Sequence, residues 1–113
     1  YRPREHALTL VTREDRRPAL HAASLAQEAV RRAPVVFVIA GEYARTRRKY
    51  AGRATRYVHM EAGHAAQNLL LQATALDLAG VTIGAFDDAA LKRAIGCRPS
   101  ETPLYVIPVG RPR

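Results

Sequence analysis

Apolar residues fall along this chain in two patterns, short unbroken runs and longer stretches spaced by three and four. VVFVIAG at 35–41 is apolar at every position, which predicts a strand buried on both faces. LYVIPVG at 104–110 predicts a second buried strand. Pro108 has no N–H for a ladder, which predicts a sheet edge or a bulge there. HALTLV at 6–11 is short and β-rich and predicts a strand or an extended arm. VTIG at 81–84 predicts a short strand or extended loop.

The helical pattern begins with ALHAASLAQEAVRRA. Leu20, Ala23, Ala26/Gln27 and Val30 share helical spacing, Pro18 suits a first turn, Arg31 and Arg32 suit a C-terminus, and Pro34 stops the helix. EYARTRRKY at 42–50 predicts a short polar helix or helical loop. Residues 54–79 predict a long helix. Val58, Ala62, Ala65, Leu69, Ala73 and Leu76 trace one face, while Met60, Gly63, Leu70 and Leu71 lie off it. A helix apolar nearly all round belongs inside a structure or at a subunit interface. Gly80 is the predicted stop. Asp87 and Asp88 predict the cap of a helix over 88–96 that Gly96 ends. The order is β-α-β-α-α-β-α-β, and the class is α+β or α/β, one sheet with helices against it.

Composition narrows the function. The 113 residues are 48% hydrophobic and 25% charged, ordinary globular usage for one domain. The single cysteine, Cys97, excludes an internal disulfide, a cysteine-only zinc site and an iron–sulfur cluster held by this chain alone. No apolar run approaches the ~20 residues of a membrane span. No charged-then-apolar leader follows Tyr1, and the expected location is cytoplasmic. The formal net charge of +8 concentrates at 42–56, where six basic residues meet one acidic residue. That patch lacks a nucleic-acid-binding motif, so charge alone makes nucleic acid a weaker alternative.

The polar groups of the long helix, His64, Gln67 and Asn68, are expected to find partners across a helix interface. His59 and His64 lie about 140° apart round a helix and do not form a metal pair. Lys49-Tyr50 reads either as part of a solvated basic loop or as a proton-transfer pair. Cys97 reads as an incidental thiol. GAFDD at 84–88 reads either as a plain turn with capping aspartates or as a turn of small residues that lets backbone approach a flat ligand. Neither a Walker motif nor GxGxxG occurs.

Taken together, Lys49-Tyr50, Arg53, Arg56-Tyr57, Gly63-His64, Gln67-Asn68-Leu69, Leu71, Ala73, Leu76, Gly84 to Asp88 and Leu104 to Gly110 resemble the C-terminal half of nitroreductase-fold flavoproteins. They are most similar to the SagB-type subgroup of azoline dehydrogenase-like enzymes. The resemblance implies an α+β nitroreductase-like fold, present in part, with a central antiparallel sheet flanked by helices. Residues 1–113 would be its C-terminal part, with the Arg-x-Ser-x-Arg-like FMN-phosphate segment lying before Tyr1. It also implies an FMN-dependent oxidoreductase with NAD(P)H as a candidate donor, a homodimer with flavin at the interface, and a small-molecule or modified-peptide substrate. Lys49 and Tyr50 match the subgroup's catalytic base, which would help turn an azoline into an azole. Ile83, Gly84 and Ala85 match the backbone along the flavin ring, and Arg111 and Arg113 stand where a C-terminal basic group helps bind FMN. Asp77 stands where the family usually has glycine. The alternative within the same fold is a non-catalytic dimerising subunit without flavin.

Overall fold

The computed structural model describes residues 1–2 and 4–112. Among them, helices α1 (Arg17–Ala23) and α2 (Glu28–Arg32) precede strand β1 (Val35–Gly41). Helix α3 (Tyr43–Tyr50) leads through a 3₁₀ turn at Ala51–Arg53 into the long helix α4 (Ala54–Ala75). A two-residue strand β2 (Ala79–Gly80), helix α5 (Asp88–Ile95) and strand β3 (Thr102–Gly110) follow.

The three strands form an antiparallel sheet in the order β1-β3-β2. Because side chains alternate along a strand, β3 sends Val106 to one face and Ile107 and Val109 to the other. On the first face Val106 joins Leu20, Ala23, Val30, Ile83, Leu91 and Ala94 from the α1, α2 and α5 layer. On the second face Ile107 and Val109 meet Ala66 and Ala73 of α4. The result is helices, sheet, helix, with β3 as the shared centre.

Several sequence expectations change for identifiable reasons. Residues 8–11 are an extended arm and not a strand; the nearest pairing is a bridge between Arg2 and Ala7, and Leu8 and Val11 are exposed. The helix expected across residues 19–33 is two helices. Leu25 and Ala26, both at φ 54°, turn the chain between them. Helical periodicity continues across that break, which is why spacing alone joins the pieces. Strand β1 is where expected, but its two faces differ: Val36 and Val38 pack on the first core, while Val35 and Phe37 remain about half exposed. Helix α4 ends at Ala75 instead of running to 79. Asp77 at φ 55° and the Leu78 N–H to Ala73 carbonyl bond at 2.9 Å close it, and Gly80 lies in β2.

Pro108 lies in the central strand and not at an edge, and the ladder irregularity falls at Ile39/Ala40 of β1. The Pro108 carbonyl accepts from the Val81 N–H on the β2 side. In an antiparallel strand a residue's N and O point to the same side. The missing N–H therefore falls beside the short, loosely paired β2 and spares the β1 ladder. Helix α5 is as expected: Asp87 Oδ1 accepts from the Ala90 N–H at 2.7 Å, and Gly96 at φ 65° ends it.

Ala51, between α3 and α4, sits at φ 46°, ψ −121°. Those are the angles of the first central residue of a type II′ turn, where glycine is at ease and alanine is strained. Ala51→Gly is expected to stabilise the fold by about 1 kcal/mol, because relief of that strain exceeds the entropy glycine adds to the unfolded chain. Thermal denaturation checks this; an unchanged or lower Tm contradicts it.

Candidate functional site

Lys49 and Tyr50 are the last two residues of α3, and both are exposed. The Lys49 Nζ lies 5.2 Å from the centroid of the Tyr50 ring, within cation–π range. The Tyr50 ring in turn stands edge-on to Tyr57 of α4, with centroids 5.0 Å apart at 84°. Tyr50 and Tyr57 line an open groove of about 800 Å³. Its floor includes Ile39, Val58, Ala62 and Leu104, and its rim includes Glu42 and Arg45, which pair at 2.8 Å. Tyr57, marked in the sequence only by the Arg56-Tyr57 stretch of the resemblance, is a site residue by geometry. Its aromatic neighbour seven positions upstream falls near it only because the corner at Ala51 folds α3 back toward α4.

The turn after β2 is built from the other layer. Ile83 is buried and exchanges both backbone hydrogen bonds with Val106, at 2.8 and 2.9 Å. Gly84 and Ala85 then leave the sheet and are exposed. The Gln27 side chain donates to the Ala85 carbonyl at 2.9 Å and to the Ser24 carbonyl at 3.0 Å, and the Asp87 N–H donates to the Ala23 carbonyl at 2.8 Å. These bonds tie the turn to the end of α1. Gln27 was legible only as one member of an apolar stripe; its role depends on the kink at Leu25–Ala26, which that stripe does not record.

A Cβ placed on Gly84 would meet nothing within 4 Å. Among the described residues no protein acceptor takes the Gly84 or Ala85 N–H. The turn therefore presents open backbone with free donors, held by buried Ile83, which suits the edge of a flat heteroaromatic ring carrying acceptors. Arg111 lies just beyond β3 and lines a second groove of about 470 Å³ with Arg32, Gly80 and Val81. Gly110 allows this placement, since a Cβ there would come within 2.9 Å of Pro34 Cδ. Arg113 lies outside the described residues.

Within one chain these parts stay separate. The 83–85 turn belongs to the α1 and α5 layer, and Lys49-Tyr50 to the α3 and α4 layer on the far face of the sheet. Leu104, at the Tyr50 groove, and Arg111, just past the end of β3, are about 23 Å apart along the extended chain at ~3.3 Å per residue.

Helix α4 buries one stripe, Ala54, Val58, Ala62, Ala66 and Ala73, against the sheet. The expectation of all-round cover is not met within the chain: Met60 is 52% and Leu71 57% exposed. His64, Gln67 and Asn68 are exposed too, and the nearest partner of His64 is Glu61, at 4.0 Å. Cys97 is half-buried; burial and the neighbouring Glu101 push its thiol up, away from the reactive thiolate. No helix among the described residues is long and apolar enough to cross a membrane.

An antiparallel sheet between a helical layer and one long helix, with an open glycine turn on one face and a lysine–tyrosine pair on the other, defines a layered α+β architecture. The Nitroreductase family pattern matches residues 1–111, and the chain belongs to that family. A Methanocaldococcus jannaschii protein assigned as a nitroreductase is 42% identical over 111 residues, 98% of this chain and 55% of the relative. A crystal structure of an Anabaena variabilis protein, also assigned as a nitroreductase, superposes with a TM-score of 0.80 at 35% identity, over 88% of this chain and 20% of that one. The NADPH:FMN oxidoreductase of Vibrio harveyi, determined with NAD⁺, gives a TM-score of 0.73 at 25% identity, over 90% of this chain and 47% of that one. The chain thus spans about half the length of the curated relative that it matches.

Proposed function

We propose that this chain supplies one part of an FMN-dependent oxidoreductase site of SagB type, acting on an azoline in a modified peptide or on a related small molecule. The observation that carries the reading is the open backbone at Gly84–Ala85. Family membership and the Vibrio harveyi NADPH:FMN oxidoreductase as a structural neighbour support it. Bound FMN would supply a hydride acceptor, with NAD(P)H a candidate donor. Gly84 and Ala85, anchored by Ile83 through its two hydrogen bonds to Val106, would align the flavin edge through backbone groups, and Arg111 would face its phosphate with a fixed positive charge. The Lys49–Tyr50 pair, once it has released one of its own protons to solvent, would take the proton that an azoline loses on becoming an azole, while the hydride goes to the flavin.

The sheet separates these elements within one chain, so the working site takes the turn from one copy and Lys49-Tyr50 from the other. The exposed Met60 and Leu71 face of α4 supports such a homodimer. A side chain at position 84 has room in the fold but would occupy the space a flavin needs. Gly84→Val is therefore expected to leave the Tm nearly unchanged and to weaken FMN binding at least tenfold, read by quenching of flavin fluorescence. Equal FMN affinity in the variant contradicts the placement.

A further inference from the structure

We propose that Tyr57 is a positioning residue for the Lys49–Tyr50 pair, an inference that rests on reading that pair as the base. Tyr57 sits in the first turn of α4, between buried Ala54 and Val58, so its backbone is fixed by the core. Tyr50 and Lys49 end the short helix α3, which buries no residue at all. Among the described residues neither the Tyr50 hydroxyl nor the Lys49 ammonium has a hydrogen-bond or ion-pair partner. What orients them is ring contact: Tyr57 meets Tyr50 edge to face, and Tyr50 presents its ring to Lys49 Nζ. The chain of support therefore runs from the packed helix through Tyr57 to Tyr50 and then to Lys49. Such a link lets a base stand at the end of an unburied helix at a defined place beside the groove that both tyrosines line.

The test needs no flavin, because the protein has only two lysines, Lys49 and Lys92. In protein carrying ¹³C-lysine, two side-chain ε-methylene signals appear, and Lys92→Arg assigns them. The Lys49 signal is expected upfield of the Lys92 signal through the Tyr50 ring current, with Tyr50→Leu removing the offset. Tyr57→Leu is expected to remove most of that offset, and Tyr57→Phe, which keeps the ring, to restore it. Should Tyr57→Leu lose helix by circular dichroism, Tyr57→Met carries the same comparison. An offset that persists when the Tyr57 ring is gone overturns the proposal. The expected pattern supports it even in protein that turns over no azoline, where the reading that fails is the base assignment.

Discussion

Lys49→Ala is expected to lower azoline oxidation by about 10²–10⁴-fold, the usual contribution of a positioned general base. Lys49 is exposed and makes no ion pair among the described residues, so its removal leaves the fold intact. FMN affinity should be largely retained, because the flavin contacts proposed above are the backbone of Gly84–Ala85 and the Arg111 side chain, not the Lys49 side chain. The informative assay is turnover of an azoline-containing peptide by flavin-loaded protein, with FMN affinity measured in parallel. Lost turnover with retained affinity assigns Lys49 to chemistry. Unchanged turnover removes it from the mechanism, and equal loss of flavin shows that it binds cofactor instead.

Leu91→Ala is expected to have the largest effect on stability, about 2–5 kcal/mol for deleting a buried leucine side chain. Leu91 is fully buried in α5 and shares its cluster with Leu20, Ile83 and Val106. The site is bounded by sheet on one side and α1 on the other, so collapse around the cavity is limited. A fall in Tm of roughly 10 °C or more follows for a domain of this size. Because Ile83 is a neighbour, the same change should loosen the 83–85 turn and weaken FMN binding beyond the stability loss. A drop below 1 kcal/mol by denaturant unfolding would contradict this packing.

The parts of the fold set by local chemistry were legible in sequence. Asp87 and Gly96 bracket α5 because a carboxylate cap and a left-handed glycine act within a few residues. The unbroken apolar run of β1 and the basic helix α3 appear at their expected positions. What escaped depends on contacts distant in sequence. The kink at Leu25–Ala26 serves Gln27, whose partner lies 58 residues away. Pro108 is tolerated in the middle of the sheet because β2 is only two residues long. Apolar composition marked α4 for burial, yet the cover for Met60 and Leu71 is not within this chain. For the site, residue types pointed to Lys49-Tyr50 and the glycine turn, but only the layer order shows that the sheet stands between them. Tyr57 was visible only within the Arg56-Tyr57 stretch of the resemblance, and its contact with Tyr50 required the corner at Ala51.

Titration of the purified protein with FMN tests the central claim most directly. Saturable quenching of flavin fluorescence is expected, with one FMN per chain in a dimeric particle. No saturable binding by a folded dimer would contradict the claim and leave the chain as a dimerising subunit of the same fold.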